Sequence, residues 1–191
     1  MDRDPDIEPD RPRLRRLATD DLTEPEVAAI RTMLVTTFGS DEASAFGADD
    51  WDHALGGVHF VLDIAGEIVT HASVVERELQ VGGRPLRTGY VEAVGTDPER
   101  QGRGFGSLVV ADVTSYINET FELGALGTGR HHFYARLGWR PWTGPSFVRT
   151  AAGVQRTPDD DGYILVLATP ASPALDRAAP ISCEWRPGDV W

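Results

Sequence analysis

Two features of one stretch, Gly89-Tyr-Val-Glu-Ala-Val-Gly-Thr-Asp-Pro-Glu-Arg-Gln-Gly-Arg-Gly-Phe-Gly106, are chemically suggestive: a carboxylate, Glu92, set in an apolar run, and glycines at 102, 104 and 106. Tyr90, Val91, Ala93 and Val94 flank Glu92 as a strand does, and Asp97-Pro98 ends that strand. Leu108, Val109, Val113, Tyr116 and Ile117 then recur at helical spacing, so Gln101–Gly106 falls where a helix N-terminus presents unpaired backbone N–H groups. Such an end binds phosphate, and the glycines leave the backbone bare enough for a diphosphate to lie on the amides. The spacing Gly-x-Gly-x-Gly is one residue short of the dinucleotide fingerprint, and no Gly-Lys-Ser/Thr follows. A strand-turn-helix corner with glycines for close packing is the plainer alternative.

At 191 residues with 41% apolar side chains, the chain has enough material for one domain with a core. Eighteen basic against 30 acidic residues give a net charge of −12, which disfavours nucleic acid and favours cationic partners or a solvated surface. The single cysteine, Cys183, excludes an intrachain disulfide framework and a cysteine metal cluster. His59 and His71 stand among apolar neighbours at no ligand spacing and read as core histidines, and no metal site is expected. No run approaches membrane-spanning length and no signal-like segment opens the chain, so the expectation is a cytoplasmic protein without membrane contact.

In chain order, residues 1–12 are charged, carry three prolines and read as a mobile leader, with a single domain over 13–191. A strand at Leu14–Leu17 precedes Thr23-Glu-Pro-Glu26, a capping box that opens a helix ending at Gly39. Ser40–Asp50 reads as an acidic loop, with a short helix around Trp51. Val58–Ile64, Ile68–Gln80 and the strand bearing Glu92 read as consecutive antiparallel strands. A strand at Phe121–Leu126, a turn at Gly127–Gly129 and a helix holding Phe133, Tyr134 and Leu137 follow the glycine-rich turn and its helix. Pro141–Thr157 is expected to loop over the surface, Pro158–Gly162 to turn, and Tyr163–Leu167 and Ile181–Trp185 to form the last strands.

This order resembles the GNAT acetyltransferases, whose acetyl-CoA turn Gln/Arg-x-x-Gly-x-Gly/Ala is matched by Gln101, Gly104 and Gly106. Within that superfamily the chain is similar to the actinobacterial aminoglycoside 2'-N-acetyltransferases. The blocks that carry this likeness are Asp50–Gly57, Gly89–Glu92, Leu123–Leu126, Tyr134 with Gly138-Trp139, Thr157–Gly162 and Trp185–Trp191. The resemblance implies an α/β (α+β) GNAT fold: a mixed, mostly antiparallel sheet flanked by helices, with acetyl-CoA at the glycine-rich turn. It implies direct acetyl transfer from acetyl-CoA to the 2'-amine of an aminoglycoside, in antibiotic resistance, by a metal-free homodimer. The alternative is a GNAT enzyme acting on another amine, such as a polyamine or a peptide N-terminus.

Carried over residue by residue, the resemblance assigns the cofactor to Val94, Gly95, Thr96, Gln101, Gly102, Arg103, Gly104, Phe105 and Gly106. It assigns the antibiotic to Asp41, Asp50, Glu92, Ala93, Gly127, Asp159 or Asp160, Asp189 and Trp191. An aminoglycoside is a polycation, so carboxylates around it are chemically apt. Glu92, acting through a water, or the Trp191 terminal carboxylate is the candidate base; a purely substrate-binding Glu92 is the equal alternative. Tyr134 is the candidate acid for the departing thiolate, or packs on pantetheine. The Val94 N–H would stabilise the oxyanion. The Gly127-Thr-Gly129 turn departs from the serine-rich pattern of relatives, leaving Gly127 or Thr128 to meet the sugar.

Overall fold

The computed structural model describes residues 11–39 and 45–191. Most of the expected leader, and Asp41, lie outside the described residues. The first strand, β1 (Arg13–Ala18), leads through one 3-10 turn into α1 (Glu24–Phe38). The capping box is formed: Thr23 N–H donates to Glu26 Oε2 at 2.9 Å and Glu26 N–H donates to Thr23 Oγ1 at 3.4 Å. Gly39, at φ 79°, closes the helix. The short helix expected from Asp50 is α2 (Ala48–His53); it starts earlier, so Asp49, read as a loop residue, belongs to its first turn.

Three antiparallel strands follow, β2 (Val58–Ile64), β3 (Glu67–Val81) and β4 (Arg84–Thr96). Then come α3 (Phe105–Thr120), β5 (Leu123–Gly127), α4 (His131–Ala135) and β6 (Arg140–Pro141). Leu137 falls in the turn after α4 rather than inside it. The chain finishes with β7 (Ser146–Thr150), β8 (Gly153–Arg156), β9 (Ile164–Ala168) and β10 (Ile181–Glu184).

Pro141–Thr157 is therefore not the surface loop that its prolines and glycines predict. β7 and β8 form an antiparallel hairpin, and β7 pairs in parallel with β10 from Ser146↔Ile181 onward. Trp142 and Ser146 are fully buried, because the distant strand β10 gives the segment a partner that local composition does not reveal.

The ten strands of the described residues join one mixed sheet, ordered β6-β9-β5-β4-β3-β10-β7-β8, with β2 also on β3 and β1 outside β2. Among the described residues only β4–β5 and β7–β10 pair in parallel. The long β3 carries β4 along one edge, while β2 and β10 share the other. Alternation distributes the apolar side chains to two faces. Phe60 and Leu62 pack with Val109, Val113 and Ile117 of α3, whereas Val61 packs with Ile30 and Leu34 of α1 and Trp51 of α2. A third cluster joins Tyr90, Leu79, Trp142, Cys183 and Trp191, and seats the C-terminal segment on the sheet.

Candidate active site

The site lies where two parallel neighbours part. The β4–β5 pairing runs Thr88↔Leu123, Gly89↔Gly124, Tyr90↔Ala125 and stops, although β4 continues to Thr96 and β5 to Gly127. β4 bends there at a bulge. Between the pairs Ser73↔Glu92 and His71↔Gly95, β3 has one residue, Ala72, and β4 has two, Ala93 and Val94. Ala93 takes φ 51°, a left-handed value that only one other described non-glycine residue adopts. Two clefts open beside the bend, of about 450 and 650 Å³, and Phe38, Val94, Arg130 and Tyr134 line both.

The smaller cleft holds the residues assigned to the cofactor. Val94, Gly95, Thr96, Gln101, Gly102, Gly104, Phe105 and Gly106 line it; Arg103 is exposed and does not. Gly102 and Gly104 have φ 75° and 86°, and Gly104 caps α3 without a side chain over its amides. The space a Cβ would take at either glycine is open, so the cradle is bare as the spacing predicts. Gln101 Nε2–H donates to Thr96 O at 3.0 Å, and Thr37 Oγ1–H to the same oxygen at 3.1 Å, which ties the turn to the end of β4 and to α1. Arg100, Arg130 and Arg136 also line this cleft. Sequence reasoning missed them because arginine on helix ends and turns is common and has no spacing signature, yet their charge suits a phosphate-bearing ligand. An exposed helix N-terminus, open glycines and three arginines fit the diphosphate and pantetheine arm of acetyl-CoA.

Glu92, Ala93, Asp50, Gly127, Asp189 and Trp191 line the larger cleft. Glu92 Oε1 accepts a hydrogen bond from Arg186 Nη1 at 2.6 Å, and both side chains are about 15% exposed. Burial raises the Glu92 pKa, against the pull of Arg186 and Arg77. The Arg186 guanidinium sits 5.5 Å from the Tyr90 ring centroid and donates from Nε to Asp189 O at 2.8 Å. The cleft is therefore not a purely acidic ring; it contains a cation already seated on its central carboxylate. Arg186 was missed because nothing local links it to a residue 94 positions away.

The C-terminus is held from several directions. Arg77 Nη1 donates to Val190 O at 2.9 Å, Cys183 Sγ lies 3.3 Å from the same oxygen, and Trp191 Nε1–H donates to Thr157 Oγ1 at 3.1 Å. A Cβ on Gly127 would stand 2.9 Å from Tyr163 Cε1 and 3.4 Å from the Trp191 carboxylate carbon, so glycine there lets the terminus close onto β5. Burial pushes the Cys183 thiol up to about 11, which leaves it a poor nucleophile.

Asp50 spends part of its capacity locally, accepting the Gly47 N–H at 2.7 Å to cap α2. Asp159 and Asp160 do not line the cleft: Asp159 is exposed, and Asp160 has its pKa raised by burial and by Asp189. Asp161 is engaged by Arg156 and Ser146 and braces the β7–β8 hairpin. Thr128 is mostly occupied: its N–H donates to Tyr163 O, and its hydroxyl accepts the Arg130 N–H at 3.0 Å. Tyr134 is buried between the clefts, and that burial raises its phenol pKa, so it is protonated and available as a donor.

Comparison with known proteins identifies the family and the fold. The family model for the acetyltransferase (GNAT) domain matches residues 19–142. The aminoglycoside 2'-N-acetyltransferase of Mycolicibacterium fortuitum is 40% identical over 182 residues, covering 93% of this chain and 91% of that protein. Among solved structures, the GNAT family N-acetyltransferase YhbS of Escherichia coli, crystallised with CoA, superposes with a TM-score of 0.62 at 18% identity, over 97% of this chain and 94% of that one. A GCN5-related N-acetyltransferase from Kribbella flavida gives 0.58 at 24% identity over 72% of this chain, which spans 34% of that longer protein.

Proposed function

For a chain that belongs to the GNAT acetyltransferases, and among them to the aminoglycoside 2'-N-acetyltransferases, we propose that the two clefts meeting at Val94 and Tyr134 hold acetyl-CoA and a 2'-amino sugar respectively. The enzyme is an acetyl-CoA-dependent N-acetyltransferase. Acetyl-CoA, when bound, supplies an activated thioester with an electrophilic acetyl carbon.

The chain's own residues do the rest. Amides of the Gly102–Gly106 turn and the nearby arginines bind the diphosphate, and the β4 edge from Val94 to Thr96 runs beside pantetheine. Asp50, Asp189 and the Trp191 carboxylate draw the polycation into the larger cleft. Glu92 takes the proton that the attacking ammonium must lose, directly or through a water; its raised pKa makes it a better base than an exposed carboxylate. The Val94 N–H supports the charge on the carbonyl oxygen. Tyr134 returns a proton to the leaving sulfur. Homodimeric assembly and a role in resistance, as the resemblance implies, and a cytoplasmic setting complete the reading. No helix among the described residues is long and apolar enough to cross a membrane.

One observation carries this assignment: Val94 and Tyr134 line both clefts, so a thioester and an amine delivered from the two sides come together beside Glu92. The test is release of free CoA thiol with acetyl-CoA and a panel of aminoglycosides with and without a 2'-amine. Turnover confined to 2'-amino compounds is expected. Turnover on simple amines or peptide N-termini would move the acceptor to the second class, and CoA binding without turnover would reduce the chain to a binding module.

A further inference from the structure

A buried chain of hydrogen bonds ends at the bulge between the two groups given the central roles. His71 Nδ1 lies 2.8 Å from Ala93 O, His71 Nε2 lies 2.9 Å from His59 Nδ1, and His59 Nε2 lies 2.9 Å from Thr19 Oγ1. Both rings are fully buried, and Trp51 packs beside them with centroids at 5.9 and 6.2 Å. The proton positions follow from chemistry. A carbonyl only accepts, so the hydrogen of His71 is on Nδ1 and its Nε2 accepts. His59 must then donate from Nδ1, and its Nε2 accepts the Thr19 hydroxyl hydrogen. Thr19 Oγ1 in turn accepts the Gly56 N–H at 2.9 Å, so every member is satisfied. Desolvation holds His59 near 4 and His71 near 3, in keeping with two neutral rings.

Ala93, at φ 51°, is the residue this chain holds. A side-chain-bearing residue stays in the left-handed region only where its surroundings over-determine it. Glu92 precedes it and Val94 follows it, so a turn of the Ala93 peptide swings the carboxylate and the amide N–H away from the point where the clefts meet.

We propose that His71, backed by His59 and Thr19, is a positioning residue for acetyl transfer: it clamps the Ala93 carbonyl and so fixes Glu92 and Val94 relative to each other. The proposal rests on the acetyltransferase reading for its kinetic test, and on the ring tautomers for a test that needs no substrate.

His71→Leu is expected to lower kcat by about 10–100-fold, as a displacement near 1 Å at a reacting centre does. Its acetyl-CoA affinity by calorimetry should change much less, because the Gly102–Gly106 cradle is untouched. Adding Ala93→Gly should recover most of the lost kcat, since glycine adopts positive φ without a clamp. His71→Asn, which keeps a donor near the Nδ1 position, should stay close to wild type. Unchanged kcat in folded His71→Leu, or no recovery in the double variant, overturns the proposal. Should His71→Leu not fold, Thr19→Val replaces it, with a smaller loss again relieved by Ala93→Gly; wild-type kcat in Thr19→Val overturns the proposal. Nitrogen-15 NMR of the wild-type protein should show both rings neutral with hydrogen on Nδ1, and Nε2–H tautomers would overturn the clamp even if no aminoglycoside is turned over.

Discussion

Arg186 is seated on Glu92, Nη1 to Oε1, at 2.6 Å in the wall of the acceptor cleft. An ammonium substrate arriving at Glu92 thus meets a carboxylate that already has a cation. The pair holds Glu92 ready and partly screened, while burial raises its pKa against the pull of Arg186 and Arg77.

The pH dependence of the reaction follows from that pair. A base must be ionised to work, so on the proposed role of Glu92 as base kcat/KM falls as pH drops through its raised pKa. Arg186→Gln removes a pull toward ionisation, and the acid limb should move to higher pH. Glu92→Gln should abolish the limb and lower kcat by about 10²–10⁴-fold, the usual range for a lost general base. Rate against pH for the three proteins is the measurement; coincident profiles would leave Glu92 a binding group only.

On the proposed role of the Trp191 carboxylate in holding the sugar, its position is testable without disturbing the core. Adding two residues after Trp191 leaves the buried indole in place but moves the charge away from Gly127 and the cleft. We expect kcat/KM for aminoglycoside to fall about tenfold or more, with little change in Tm. The same residues added at the N-terminus should have no effect.

Gly104 separates cradle geometry from stability. With φ 86° and open space beside it, Gly104→Val costs about 1–2 kcal/mol of backbone strain and puts a branched side chain over the amides. Acetyl-CoA affinity by calorimetry should weaken more than tenfold while the urea midpoint moves modestly. Equal affinity would show that the diphosphate lies elsewhere.

The capping box of α1 gives a stability prediction with a definite pH sign. The Thr23 amide first, then Arg15, holds Glu26 down to about 2. A carboxyl group depressed in the folded state contributes stability above its unfolded pKa of about 4.3 and loses it as pH falls through about 2. Thr23→Ala or Glu26→Gln should cost about 1 kcal/mol at neutral pH. For Glu26→Gln, the gap from wild type in urea unfolding should narrow toward pH 2, and a gap that widens there would contradict the assignment.

Much of the fold was readable residue by residue. Thr23-Glu-Pro-Glu26 announces α1, alternation gives β2 to β4, and the glycines at 102 and 104 announce a turn that opens a helix. These signals act over a few residues, within reach of one hydrogen bond or one turn. Pro141–Thr157 shows where such reading fails, since its prolines and glycines speak for a loop until β10 captures Ser146–Thr150 as a strand.

The site divides along the same line. The sequence alone determined the glycine-rich turn, the carboxylate within the strand at 92 and the family's chemistry, because each resides in contiguous blocks. Tertiary structure alone decided that Arg186 sits on Glu92, that Arg77 and Cys183 hold Val190, and that His71, backed by His59 from the neighbouring strand, meets the Ala93 carbonyl. Those contacts depend on sheet register and on how the last segment closes over β5, and register is set by the packing of the whole sheet rather than by any local run of residues.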